Sequence, residues 1–212
     1  MTSVLYFHGF ASSPGSAKVQ SLSRLLAPDG ISLNAPDLNA PSFRALAWES
    51  MIETALAAAA CIPPDALAGS SLGGLVALEV MRRGIVAPLV LIAPALGIAE
   101  RWRTKLPPGD PITVWNHALG ADAPIHRRFF LEMAGLHVDD SPPPAPVTLI
   151  MGTNDESVPY DGVVRTWQSW EPSLAPGSKF VRIEGGDHGL TAHVDVIAEE
   201  IRLRSAATQL PL

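Results

Sequence analysis

Cysteine is almost missing from this 212-residue chain: Cys61 is the only one, so no disulfide can form within it. Its alanine-rich surroundings lead us to expect a small buried hydrophobe, and no neighbouring motif activates the thiol. Charge is scarce as well. Charged residues make up 17% of the chain, and 15 Lys and Arg face 21 Asp and Glu, a net charge of −6. No dense basic stripe offers a nucleic-acid surface, and Arg101, Arg103 and Lys105, the nearest approach to one, read as a solvated face. No apolar run reaches the roughly 18 residues of a membrane span. Met1–Phe10 lacks the basic start and long apolar stretch of a signal peptide. These absences lead us to expect a cytoplasmic protein with neither a nucleic-acid nor a membrane partner; oligomeric state is left open.

Two motifs are missing too. No G-x-G-x-x-G follows the first β-prone run, which argues against a dinucleotide-binding domain. No H-E-x-x-H or other close ligand pair argues for a zinc site. No cofactor and no metal are expected.

What is present is 47% hydrophobic, enough to bury one core, and the whole of 1–212 is expected to form one domain. Apolar runs at 3–7, 31–34, 66–69, 88–94, 147–152 and 178–185 read as six strands. Between them, helical spacing of apolar residues marks 17–27, a segment opened by Pro41-Ser42 and closed by Pro63-Pro64, a helix from about residue 72 to Gly84, 160–170 and 191–204. Ser42 is the expected cap of the second helix. This alternation predicts an α/β fold with a predominantly parallel six-stranded sheet and helices on both faces. Residues 97–145 break the rhythm. Rich in Pro, Gly and bulky side chains, they are expected to form a small insertion or lid with one or two short helices, one near 124–134.

Gly69, Ser71 and Gly73 form G-x-S-x-G between a strand and an apolar helix. Such a turn holds a serine at a helix N-terminus in a strained backbone conformation, exposed for nucleophilic attack. A Cβ at Gly69 or Gly73 would crowd it. Ser71 is therefore the candidate nucleophile, and Ser70, off the motif, is expected to cap or pack. The backbone N–H of Leu72 is one candidate oxyanion donor. The second is the N–H of Phe10, in the loop after the first strand, where Gly9 lets the backbone pass close and His8 is expected to fix the loop by hydrogen bonding.

A serine nucleophile needs a base and an acid. On such a fold these follow in the order acid, then histidine. Of six histidines, His188 alone sits in a glycine-flanked loop after a late strand. His117, His126 and His137 fall in the insertion, and His193 opens the last helix. Asp155, just past the 147–152 strand, is the candidate acid, with Glu156 as the neighbour that could replace it. A carboxylate there would hold the imidazole in the tautomer that accepts a proton from serine.

Leu5–Phe10 followed by Ser12-Ser13-Pro14 and Ser16-Ala17-Lys18, together with Gly69–Gly74, Gly152–Asp155 and Glu184–His188, resembles the α/β-hydrolase superfamily. More narrowly, it resembles the small bacterial esterases of the YqiA type. The resemblance runs over nearly the whole chain. It implies a compact esterase of short-chain acyl or thioester substrates, without cofactor, whose triad falls on Ser71, Asp155 and His188. The 97–145 segment, richer in Pro and Trp than that family suggests, departs from the pattern, so substrate preference does not carry over. The expected partner is a small-molecule acyl ester. Trp102, Trp115, Phe129 and Phe130 are candidate lining for an acyl pocket, with a small core of the insertion as the equal alternative. A thioesterase or peptidase on the same fold, and a non-catalytic ligand-binding protein, remain as other readings.

Overall fold

A computed structural model describes residues 1–106 and 108–206. Pro107, inside the 97–145 segment, and residues 207–212, the end of the expected domain, lie outside the described residues. In chain order the strands are β1 (Thr2–Phe7), β2 (Ile31–Asn34), β3 (Ala66–Ser70), β4 (Leu89–Ile92), β5 (Ile112–Asn116), β6 (Ala121–Ile125), β7 (Val147–Gly152) and β8 (Lys179–Ile183). The α-helices are α1 (Ala17–Leu26), α2 (Trp48–Cys61), α3 (Leu72–Arg82), α4 (Ile98–Lys105), α5 (Arg127–Ala134), α6 (Tyr160–Trp170) and α7 (Val194–Ala206).

Six strands form one sheet in the order β2-β1-β3-β4-β7-β8, every neighbouring pair parallel. Register follows the apolar runs. Leu5 lies opposite Leu67, Leu67 opposite Leu89, and Leu89 opposite Val147. β3, β4 and β7 are buried along their whole length, as strands covered on both faces must be. α1 packs on α7, which crosses β1, β3, β4 and β7, while α2 packs on α3, which covers β1, β3 and β4. The chain leaves β1 towards β2 on one side and returns to β3 on the other. The loops after β1 and β3 therefore diverge, and this is where a parallel sheet opens a crevice at its carboxyl edge.

Three local expectations need correction. The second helix begins at Trp48, not at Ser42. Ser42 Oγ instead accepts from the Ala45 amide at 3.3 Å in a separate turn. The amide of Trp48 donates to Glu132 Oε2 at 3.1 Å, so a carboxylate from the insertion supplies the N-terminal acceptor that Ser42 was expected to provide. Cys61 is exposed, not buried, because it ends α2 next to the Ile62-Pro63-Pro64 exit. And 97–145 holds more than helices. Beside α4 and α5, which pack on each other, β5 and β6 form an antiparallel hairpin separate from the main sheet, with Trp115 opposite Asp122 and Pro124 opposite Thr113. A two-stranded ribbon tolerates a proline that a central strand could not hold.

Candidate active site

β3 ends at Ser70, and α3 starts at Leu72. Ser71 between them carries the whole change of direction at φ 54° and ψ −118°, a conformation that costs a non-glycine residue of order 1–3 kcal/mol. The flanking glycines make the turn feasible. A Cβ on Gly69 would run into the Gly73 carbonyl, and one on Gly73 into the Phe7 carbonyl. Strand, turn and neighbouring strand thus approach to backbone contact. Gly9 lies against the same turn, its Cβ position only 3.3 Å from Ser71 Cβ.

His188 and Asp155 come to this turn from loops after β8 and β7. His188 Nε2 lies 3.0 Å from Ser71 Oγ, and His188 Nδ1 lies 2.7 Å from Asp155 Oδ2. The Asp155 side chain is fully buried and that of His188 is 27% exposed. The second carboxylate oxygen accepts from the Ser157 and Val158 amides at 2.8 and 2.7 Å. A carboxylate at Nδ1 places the ring proton there and leaves the Nε2 lone pair facing the hydroxyl. The neighbouring acids are occupied otherwise: Glu156 is exposed on the cleft rim, and Asp187 Oδ1 accepts from the Leu190 amide at 2.7 Å.

His8 sits in the loop after β1, almost fully buried. Its Nδ1 lies 2.9 Å from the Gly9 carbonyl, and its Nε2 accepts from the Leu38 amide at 3.0 Å. Burial holds this imidazole below its usual range despite opposing effects from Gly9 and Asp37. A neutral ring is what one donated and one accepted bond require. His8 thereby ties the Gly9-Phe10 backbone to the loop after β2. Ser70 borders the same cleft: its Oγ accepts from Lys18 Nζ at 3.0 Å and shares a hydrogen bond with the Tyr6 hydroxyl, whose acidity burial suppresses.

These groups line a cleft of about 1070 Å³ formed by the loops after β1, β3 and β7 together with the insertion. Phe10, Ser71, Leu72 and His188 all border it, as do Trp102 and Phe130. The four aromatics of the insertion divide. Phe129 is fully buried and stacks on the Phe10 ring at 5.7 Å. Phe130 meets Trp102 edge-on at 5.1 Å, and both contact Phe10. Trp115 stands 54% exposed on the hairpin, away from the cleft lining, so its candidacy as a pocket residue is withdrawn. The insertion is therefore partly its own core and partly a wall. Among the residues that line the cleft, Arg101 was expected on a solvated face and His117 in the insertion outside the site, and Lys18 had no expected role. Lys18 stood in the quoted loop pattern, but one α1 position among polar neighbours carries no signal of direction.

A second, open depression of about 500 Å³, beside α1 and β2, includes neither a catalytic-type serine turn nor a histidine. Among the described residues no group of three or more His, Cys, Asp or Glu could hold a metal ion, and no helix is long and apolar enough to cross a membrane.

A parallel sheet in this strand order, with a strained serine turn after β3, a histidine loop after β8 and an acid loop after β7, defines an α/β-hydrolase fold. Within that class the chain belongs to the uncharacterised protein family UPF0227, which it matches over residues 3–201. Solved structures agree on the fold. Est1E from Butyrivibrio proteoclasticus, with ferulic acid bound, is 21% identical with a TM-score of 0.78, over 98% of this chain and 90% of that one. Alpha/beta hydrolase domain-containing protein 10 from mouse is 20% identical, TM-score 0.73, over 94% and 88%. A monoacylglycerol lipase from Paleococcus ferrophilus is 17% identical, TM-score 0.73, over 98% and 95%.

Proposed function

We propose that the chain is a serine hydrolase that cleaves carboxylic esters through an acyl-enzyme. The observation that carries this reading is the continuous relay Ser71 Oγ, His188, Asp155, at 3.0 and 2.7 Å, opening on a cleft. Ser71 attacks the ester carbonyl while His188 Nε2 takes its proton. The tetrahedral oxyanion forms against the Phe10 amide in the loop after β1 and the Leu72 amide at the start of α3, and one such donor is typically worth about 3 kcal/mol. Collapse of that intermediate breaks the bond to the alcohol, which leaves with the proton from His188. Water, deprotonated by the same imidazole, then releases the acid and restores Ser71. Asp155 holds the ring and stabilises the imidazolium in both halves.

Trp102 and Phe130 form the apolar wall for the acyl or alcohol group, and residues 97–145 act as a cap over the cleft. Two neighbours in fold carry names that fit such chemistry, Est1E with its ferulic acid and the monoacylglycerol lipase.

The test is direct. Purified protein is expected to hydrolyse short-chain 4-nitrophenyl esters, at a rate that EDTA leaves unchanged, since every proposed step uses side chains and amides of the chain itself. A folded protein that turns over neither esters nor thioesters would overturn the reading in favour of a ligand-binding role.

A further inference from the structure

The cleft holds a cation that acyl transfer does not use. Lys18, in the first turn of α1, lines the cleft together with Ser71, and its ammonium donates to the hydroxyl of the preceding residue, Ser70, at 3.0 Å. An ammonium has three N–H donors, and Ser70 takes one. Asp187 and Asp155 act on Lys18 through space, yet their carboxylates are engaged by the Leu190 amide and by His188, Ser157 and Val158. Among the described residues no carboxylate forms an ion pair with Lys18. Desolvation in the cleft draws the ammonium down to about 8, against the opposing pull of the two aspartates. A partly desolvated cation without a contacting anion is destabilising, and an anion of fitting geometry relieves that cost. The surrounding cleft wall adds hydroxyls, from Ser12, Ser13, Ser16 and Thr191, which hydrogen-bond a carboxylate as readily as water does.

We infer that Lys18 is a specificity-determining residue that binds a free carboxylate on the substrate, so that the cleft favours esters carrying an anionic group over neutral ones of the same shape. The inference deepens the ester-hydrolase reading and rests on it for turnover, though not for binding. Lys18 as a mere structural tie to Ser70 makes a different prediction, because loss of a tie affects every substrate alike.

Mono-4-nitrophenyl adipate and 4-nitrophenyl hexanoate differ only in a terminal carboxylate in place of a methyl group, and the ratio of their kcat/KM values is the readout. The wild type is expected to prefer the adipate ester. Lys18→Met should lower the ratio on the order of 10- to 100-fold, the range of one charge-assisted contact, mainly through KM, and Lys18→Arg should retain part of the preference. In the wild type the ratio should also fall as pH rises through about 8, since a neutral amine no longer pairs with the carboxylate. The titratable groups that act on Lys18, namely Asp187 and Asp155 through space and Tyr6 through Ser70, serve both esters, and the effect of His188 on turnover cancels in the ratio. A wild-type ratio at or below one, or an equal loss on both esters in Lys18→Met, overturns the proposal. The pH series reads the same ratio with no substitution, so it holds even if Lys18→Met does not fold. Calorimetric binding of the intact adipate ester to Ser71→Ala, with and without Lys18→Met, separates the two claims. Lys18-dependent binding without wild-type turnover would refute hydrolysis and keep the carboxylate site. Turnover of both esters with no dependence on Lys18 would do the reverse.

Discussion

Ser71→Ala is expected to reduce ester turnover on the order of 10⁴- to 10⁶-fold while leaving the fold intact. Alanine fits the space of Ser71 and bears the same backbone cost at φ 54° that serine already bears, so the loss of rate is not accompanied by a comparable loss of stability. No neighbour can take over. Ser70 is one residue away, but its Oγ is bonded to Lys18 and Tyr6, not to His188. His188→Ala should lose nearly as much. The double variant should be no slower than either single one, because a nucleophile and its base act as one unit. Steady-state kinetics with a 4-nitrophenyl ester, beside a circular-dichroism check of the fold, measures this. A residual rate within tenfold of the wild type would remove Ser71 from the mechanism.

Asp155→Asn should cut the rate by up to about 10⁴-fold, the size of the corresponding change in the well-studied serine proteases. The geometry gives the reason. Asp155 Oδ1 is fixed by two amides, Ser157 and Val158, which demand an acceptor at that position. An asparagine that keeps its carbonyl oxygen there must turn its NH₂ towards His188 Nδ1. The ring then becomes an acceptor at Nδ1 and carries its proton on Nε2, where it can no longer receive one from Ser71. Folding should be nearly unchanged, and binding of substrate as well, so kcat carries the loss. If Asp155→Asn leaves kcat within a few-fold of the wild type, the carboxylate does not set the tautomer, and Glu156 would be the next acid to examine.

The six-stranded frame was legible because its strands announce themselves. The 88–94 run is continuously apolar, as a strand buried on both faces must be, and the 66–69 run could be placed only through the serine turn that follows it. Ser71, Asp155 and His188 lie far apart in sequence, serine and histidine 117 positions from each other, but each follows the carboxyl end of a strand, with glycines close by at Gly69 and Gly73, at Gly152, and at Gly186 and Gly189, and that local chemistry was readable. The rest depended on contacts at long range. The start of α2 is set by Glu132, which the chain reaches 84 positions later, so Ser42 looked like the better cap. The β5–β6 hairpin has one short β-branched run, Ile112-Thr113-Val114, but its partner strand Ala121–Ile125 carries Asp122 and Pro124 and almost no β-prone residue, so the pairing had no local signal on its second side. Trp115 and Phe129 are both large aromatics within one segment, yet one is exposed and the other fully buried, a difference that depends on which side packs against Phe10. Lys18 is a surface-type residue by composition and a cleft residue by topology.

The most direct test of the central claim is covalent labelling with a fluorophosphonate, followed by intact-mass analysis and peptide mapping. The phosphonyl group is transferred only to a hydroxyl whose proton a neighbouring base removes, and it leaves fluoride behind as the departing group. The account predicts one adduct per chain, on Ser71, absent in Ser71→Ala and strongly slowed in His188→Ala. An adduct on Ser70 or any other residue, or no adduct on a folded protein that still hydrolyses esters, would contradict it.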